Sequence, residues 1–154
     1  MNGKVAMVAG GSSGLGLAAA RELVMEGAHV VIGARDHGRL AAAERTLKEV
    51  ARGRVATASV DITDRAAARR WVDETAEAFG ELHIVIVSGA GPPTGTAAQF
   101  SPQDYQAAID TALFPVISLS LAALPHLRAA GWGRLLSSPR RRRAYPCPRS
   151  RCPA

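Results

Sequence analysis

The sequence lacks three features that would set it apart from ordinary soluble domains. No uninterrupted apolar run reaches the roughly 20 residues of a membrane span. The short apolar run near the amino terminus leads into glycines and not into a secretory cleavage site. The two cysteines, Cys147 and Cys152, have four residues between them and no nearby histidine. We therefore expect free thiols, no metal site, no membrane partner and a cytoplasmic protein.

An excess of basic charge is also absent from most of the chain. Residues 1–136 hold 13 Lys and Arg against 13 Asp and Glu, whereas residues 137–154 hold six Arg and no acid. The formal net charge of +6 therefore belongs to the end of the chain. Because the larger part is neutral, we expect no nucleic-acid partner.

Apolar segments of strand length alternate with segments of helical periodicity. The strands are expected at 5–9, 29–33, 55–60, 82–87 and 134–136. Helices are expected at 15–26, from the cap Asp36 to about 52, from the cap Asp64 to Gly80, and from 104 to about 130. Residues 88–103 are expected to form a loop. This order predicts an α/β fold, a Rossmann-type doubly wound parallel sheet that is truncated after about the fifth strand.

Two of the expected helices carry apolar residues at helical spacing. In the first helix the stripe is Leu15, Ala19 and Leu23. The last helix carries Ile109, Leu113, Ile117, Leu121 and Leu124. Two prolines, Pro115 and Pro125, are expected to bend or break that helix.

A glycine-rich loop joins the first strand to the first helix. Main-chain N–H groups at the start of a helix lack internal partners and carry partial positive charge, so they suit a pyrophosphate. The tight turn needs Gly10, a close approach of the ligand needs Gly14, and close packing of helix and sheet needs Gly16. The predicted cofactor-binding residues here are Gly10, Ser12, Ser13, Gly14, Leu15 and Gly16.

The segment GKVAMVAGGSSGLGLAAARELVMEGAHVVIGARD resembles the opening of the short-chain dehydrogenase/reductase family, and the resemblance extends to about Leu136. The family usually has Thr where Ala9 stands. Membership implies hydride transfer between a nicotinamide cofactor and a carbonyl or alcohol substrate. With regard to the substrate, the chain resembles the 3-oxoacyl-carrier-protein reductase-like members. The resemblance also implies a homo-oligomer in the full-length family, in which the long helix commonly lies in an interface.

The residues after the second and third strands favour NADP over NAD. NAD-preferring members carry an acid where Ala34 stands, and here Arg35 follows directly, so a guanidinium can pair with a 2′-phosphate. A second guanidinium, that of Arg39, can assist. Asp61 and Ile62 resemble the family's pair beside the adenine ring. The alternatives are a solvated loop charge at Arg35 and a purely capping role for Asp61.

After the fourth strand the family expects Asn-Asn-Ala-Gly, and this chain has Ser88, Gly89, Ala90 and Gly91. Ser88, Ala90 and Gly91 are predicted to border the cofactor through their backbone. The Gly/Pro-rich continuation resembles a divergent branch of the family.

The family's catalytic residues have no match in this chain. Ala112 stands where the resemblance implies a catalytic Asn, and Ser137 and Ser138 are out of register with the catalytic Ser. Tyr145 and Arg149 have the four-residue offset of the catalytic Tyr and Lys, but the prolines between them forbid a helix. Arginine also keeps its proton too firmly to replace lysine. The catalytic residues therefore stay unknown.

The last 18 residues, 137–154, are expected to be a basic, disordered tail that follows an incomplete nucleotide-binding domain at 1–136. Its Arg/Pro/Ser/Cys-rich composition suggests translation out of frame. The alternative is a basic arm for nucleic acid or an anionic membrane. Two functions follow: an NADP-dependent short-chain oxidoreductase whose catalytic portion is missing here, or a non-catalytic NADP-binding module. The exposed last strand predicts poor solubility.

Overall fold

The computed structural model describes residues 1–89 and 95–138. Within them, five parallel strands form one sheet in the order β3-β2-β1-β4-β5. The strands are β1 (Val5–Ala9), β2 (His29–Ala34), β3 (Val55–Ser59), β4 (Ile84–Val87) and β5 (Arg134–Ser137). The predicted Rossmann-type α/β fold is confirmed. β4 begins two residues later than predicted, and β5 continues to Ser137.

Five α-helices connect and follow the strands. They are α1 (Gly14–Met25), α2 (His37–Val50), α3 (Arg65–Phe79), α4 (Pro102–Ala108) and α5 (Phe114–Ala129), with a π-helical segment, Ile109–Leu113, between the last two. The carboxylates of Asp36 and Asp64 accept backbone N–H groups at the starts of α2 and α3, which confirms both predicted caps. α3 ends at Gly80, whose φ of 81° is left-handed, as predicted.

Alternate side chains of each strand enter two separate apolar layers, because successive residues of a strand point to opposite faces. In β1, Met7 faces the layer that contains α3 and α5. Its neighbour Val8 faces the layer that contains α1 and α2. Both side chains have no exposed surface. Helices therefore cover both faces of the sheet, which is the doubly wound arrangement.

The buried stripe of α1 lies one position after the apolar stripe that the sequence shows. Its buried residues are Gly16, Ala20 and Val24, whereas Leu15 is 67% exposed. Periodicity could not separate the two stripes, because Leu17 and Leu23 flank the true one and are partly buried on its edge. Small residues face the sheet here, so α1 lies close to the strands.

Most of the apolar residues expected along the long helix lie on its exposed side. Leu119, Ala123 and Leu127 face the core, while Ile109, Leu113, Ile117 and Leu121 are 39–64% exposed. The first turn begins at Pro102 with a capping box between Ser101 and Asp104, two residues earlier than predicted.

The two prolines of the long helix act differently. Pro115 follows the π-helical segment, at the second residue of α5, whereas Pro125 lies inside α5. The continuous helical stretch of 28 residues from Pro102 to Ala129 is long and apolar enough to cross a membrane by length and composition alone. This stretch was not predicted from the sequence, because only uninterrupted apolar runs were considered there.

Candidate cofactor-binding cleft

A cleft of about 410 Å³ opens at the carboxyl ends of the strands. Strand order reverses between β1 and β4, and ligands of such sheets bind at this switch point. The cleft is lined by Gly10, Ser12, Gly33, Ala34, Arg35, Asp36, Arg39, Val60, Asp61, Ile62, Thr63, Ser88, Gly89 and Thr111. Six of the predicted cofactor-binding residues are thus brought together: Gly10, Ser12, Arg35, Asp61, Ile62 and Ser88.

The loop between β1 and α1 needs two of its glycines for backbone reasons. Gly10 has φ 72°, and its N–H donates to the carbonyl of Gly33 at 2.8 Å. A side chain at this position would overlap the backbone carbonyl of Ser88, so β1 and β4 could not approach each other here. Gly14 has φ 55° and open space where a Cβ would stand. That space lets a ligand approach the main chain, as the sequence suggested.

At the amino terminus of α1, the first backbone N–H groups are available to an acceptor other than a capping side chain. Ser13 occupies the cap position with an extended backbone and makes no side-chain hydrogen bond to the first turn, which also contains no acid. At α2 and α3, by contrast, Asp36 and Asp64 fill the same position with a carboxylate. The uncapped N–H groups and the helix dipole therefore suit an anion such as a diphosphate.

Four predicted loop residues do not line the cleft itself. Ser13, Gly14 and Leu15 are exposed at the start of α1. Gly16 is buried, and a Cβ there would overlap the carbonyl oxygen of Gly10, so its role is packing against the loop backbone. That contact differs from the predicted one with the sheet.

Arg35 and Asp61 face each other across the cleft. Arg35 Nη1 lies 3.9 Å from Asp61 Oδ2, and the two side chains are 75% and 44% exposed. The other oxygen, Oδ1, accepts the backbone N–H of Thr63 at 3.0 Å and its hydroxyl at 2.7 Å. These bonds, with a smaller contribution from Arg35, hold the pKa of Asp61 below its usual value. The carboxylate is therefore ionised at neutral pH.

A second Asp–Arg pair lies at the start of α2. Asp36 accepts the backbone N–H of Arg39 at 2.9 Å, and its Oδ2 is 3.6 Å from Arg39 Nε. The backbone hydrogen bond, followed by the charge of Arg39, lowers the pKa of Asp36. The cleft thus contains two guanidinium groups, each paired with a carboxylate. Ala34 occupies the position at which NAD-preferring members of the family carry an acid.

The β4 side of the cleft is formed by Ser88 and Gly89. The N–H of Ser88 donates to the carbonyl of Ala9 at 2.9 Å, which fixes the backbone at the switch point. The predicted residues Ala90 and Gly91 lie outside the described residues. So do Tyr145 and Arg149 and the whole segment 139–154.

Sequence reasoning missed Thr63 and Thr111 as cleft residues. Thr111 lies in the π-helical segment, beside Ala112, and its hydroxyl donates to the carbonyl of Ala107 at 2.8 Å. The signal that could have found it is Pro115, because a proline within a continuous helical stretch removes a backbone N–H donor and forces local rearrangement. Thr63 is predictable only from the turn that Asp61 forms. No group of three or more metal-binding side chains occurs in the part of the chain that the structure describes.

The sequence profile of the short chain dehydrogenase family matches residues 4–138. Among curated proteins, a 3-dehydrosphinganine reductase of Arabidopsis thaliana is 34% identical over 124 residues, which are 80% of this chain and 37% of that protein.

Two solved structures are similar in fold and sequence. L-Sorbose reductase from Gluconobacter frateurii, complexed with NADPH and L-sorbose, superposes with a TM-score of 0.82 at 31% identity, covering 89% of this chain and 52% of that one. Carveol dehydrogenase from Mycobacterium avium, in complex with NAD, gives 0.81 at 26% identity, with 89% and 54% covered. The chain therefore spans about half the length of these two neighbours.

Proposed function

Because the chain belongs to the short-chain dehydrogenase family, we propose that it binds NADP in the cleft at the carboxyl ends of the strands. In a protein of the relatives' length, this cofactor would exchange hydride with a carbonyl or alcohol. The observation that carries the proposal is the uncapped start of α1 beside Gly10 and Gly14, within reach of two guanidinium groups.

Each part of the cleft would contact a different part of the cofactor. The N–H groups at the start of α1, with the hydroxyls of Ser12 and Ser13, would bind the diphosphate. Asp61 and Ile62 would flank the adenine, with the carboxylate accepting from its amine. The backbone at Ser88, together with the predicted contacts of Ala90 and Gly91, would border the nicotinamide ribose.

The preference for NADP over NAD would come from Arg35. A 2′-phosphate accepts paired N–H bonds from a guanidinium, and Ala34 contributes no opposing carboxylate. The similar structures include one with NADPH and one with NAD, so a nicotinamide dinucleotide is common to both and the preference depends on this chain's own residues. Replacing Arg35 by alanine should therefore bring the affinities for NADP and NAD closer together.

The substrate class we propose is a small carbonyl or alcohol, and 3-oxoacyl thioesters are the first candidates from the sequence resemblance. The cofactor, when bound, supplies the hydride. We assign no catalytic residue in this chain, because Ala112 cannot hydrogen-bond as an asparagine would, and no Tyr–Lys pair lies in the described residues.

A turnover assay separates an enzyme from a nucleotide-binding module. The purified chain is incubated with NADPH and a panel of carbonyl compounds that includes a 3-oxoacyl thioester, and absorbance at 340 nm is followed. Binding without turnover is the result expected for the chain as it stands, both if its catalytic portion is missing and if it is a non-catalytic module. Turnover would show that residues we have not assigned perform the chemistry.

The proposed partners are a small-molecule substrate and further copies of the chain, in the cytoplasm. The exposed stripe of α5 and the preceding segment supports self-association, because Leu113 and Leu121 are 51% and 64% exposed. The described residues include a 28-residue helical stretch with an 18-residue window of mean hydropathy 1.8, but Leu119 and Ala123 anchor it to the sheet. We therefore propose association with itself and not with a membrane.

A further inference from the structure

We propose that Asp61 limits the preference for NADP by competing with the 2′-phosphate for the guanidinium of Arg35. This inference rests on the proposed function, since it concerns the same cleft. It gives Asp61 a second role besides that of a partner for adenine, and makes it a positioning residue that acts through Arg35.

The two oxygens of Asp61 have different surroundings. Oδ1 is occupied by the N–H and hydroxyl of Thr63, at 3.0 and 2.7 Å. Oδ2 lies 3.9 Å from Arg35 Nη1. The Thr63 bonds fix the orientation of the carboxylate, so its remaining oxygen stays directed toward the guanidinium whether or not a nucleotide is bound.

A 2′-phosphate and the Asp61 carboxylate are both anions that seek Arg35. When the guanidinium moves toward the phosphate, Asp61 loses its ionic partner, and its own charge then repels the phosphate. NAD has no group that draws Arg35 away, so it binds without this loss. The carboxylate therefore reduces the affinity for NADP relative to NAD.

The ion pair between Arg35 and Asp61 is long and solvated. This explains why removing the charge of Asp61 should raise the NADP-to-NAD affinity ratio and why the rise should be small. A separation of 3.9 Å between side chains that are 75% and 44% exposed restrains Arg35 weakly, so little orientation is gained from the pair. Exposed pairs of this kind are worth about 0.2–1 kcal/mol. Removing the charge of Asp61 should therefore raise the NADP-to-NAD affinity ratio by up to about fivefold.

The adenine amine should couple to this competition. Once Arg35 leaves, Oδ2 is free to accept from the 6-amino group, which compensates part of the loss. A hypoxanthine base carries a carbonyl there and cannot donate from that position, so the carboxylate would keep Arg35. The 2′-phosphate should consequently add less affinity to the hypoxanthine dinucleotide than to the adenine dinucleotide.

The test measures dissociation constants of NADP and NAD by calorimetry for the full chain and its Asp61→Asn, Arg35→Ala and doubly substituted forms. Asparagine keeps an oxygen that can accept from Thr63 and removes the charge, while its NH2 group, a donor, takes the place of the oxygen that faces Arg35 and the adenine amine. We expect the NADP-to-NAD affinity ratio to rise about two- to fivefold in Asp61→Asn, and to rise by less when Asp61→Asn is added to Arg35→Ala, where only the repulsion between the carboxylate and the 2′-phosphate is relieved. Glu49→Gln, on the exposed surface of α2 outside the cleft, is the control for net charge.

The same measurement on NADP and NAD analogues with hypoxanthine in place of adenine completes the test. In the unsubstituted chain the 2′-phosphate should contribute less affinity with hypoxanthine than with adenine, and in Asp61→Asn this difference should vanish.

Failure of this inference differs from failure of the proposed function. An unchanged or lowered affinity ratio in Asp61→Asn, while Arg35→Ala still reduces it, would overturn the competition alone. A similar rise in Glu49→Gln would assign the effect to general charge and would also overturn it. A folded chain that binds neither dinucleotide would remove the proposed function itself. Thermal melts of every form establish that the compared proteins are folded.

Discussion

The carbonyl oxygen of Gly10 occupies the space in which a side chain at Gly16 would begin. The loop that leaves β1 therefore folds back onto the first turn of α1, and the two segments hold each other in place. An alanine in place of Gly16 would push the backbone of the first turn of α1 away from the backbone of the loop. Overpacking of this kind costs about 1–3 kcal/mol, so Gly16→Ala should lower the free energy of unfolding in urea by that amount and abolish nucleotide binding.

Gly38→Ala is the matched control for this substitution. Gly38 lies in the first turn of α2, and a Cβ there would be 3.4 Å from Asp36 Oδ1, at the near edge of ordinary contact. Because alanine has less freedom in the unfolded chain, we expect stability to rise by roughly 0.5 kcal/mol. Equal losses in both variants would contradict the role assigned to the Gly10–Gly16 contact.

A buried histidine should make the stability of the fold depend on pH. His83 is 1% exposed, and its Nδ1 accepts the N–H of Val5 at 3.1 Å. Burial and the charge of Lys4 lower the pKa of His83, while Glu81 opposes the shift. The unfolded chain therefore binds more protons than the folded one. The contribution of neutral His83 to the free energy of unfolding is fully present above the unfolded pKa of about 6.5. It is lost as the pH falls below that value.

His83→Gln tests the origin of this pH dependence. Glutamine keeps an oxygen that can accept from Val5, but it does not titrate. Urea unfolding between pH 5 and pH 7.5 should show a flatter profile for the variant than for the unsubstituted chain. Profiles of the same slope would mean that His83 does not cause the loss.

The exposed apolar stripe should govern self-association. Leu113 and Leu121 are 51% and 64% exposed, so replacing both by lysine should change the free energy of unfolding by less than about 1 kcal/mol while it shifts the light-scattering mass toward the monomer. Leu15→Lys is the control, since Leu15 is 67% exposed but lies on α1, on the other face of the sheet. An unsubstituted chain that is monomeric at all concentrations would contradict this expectation.

Leu119 offers the opposite test of the same helix. It has no exposed surface and packs in the layer between α5 and the sheet. Leu119→Ala should lower the free energy of unfolding by about 2–5 kcal/mol, because it leaves a cavity that the sheet cannot close. A loss below 1 kcal/mol would mean that α5 does not pack on the sheet as described.

The strands and the loop were predictable because their signals are local. Buried parallel strands are continuous apolar runs, and the left-handed φ of Gly10 and Gly14 needs glycine wherever it occurs. The buried faces of α1 and α5 were not predictable from the sequence, because both helices carry apolar residues on more than one side. Which side is buried depends on the distance to the sheet, and small residues such as Gly16 and Ala123 decide it.

The ion pairs of the cleft could not be predicted from the sequence either. Asp61 and Arg35 are 26 positions apart and meet because β2 and β3 are neighbours that end at the same edge of the sheet. Pattern reasoning identified each residue separately and assigned each to a different part of the cofactor. Their ion pair is visible only once the two strands are paired.

The most direct test of the account is a calorimetric titration of the folded chain with NADP and with NAD, repeated for Arg35→Ala. We expect one site per chain, tighter binding of NADP than of NAD, and a loss of most of that difference in the variant. A folded chain that takes up neither dinucleotide, or an Arg35→Ala variant with an unaltered preference, would contradict it.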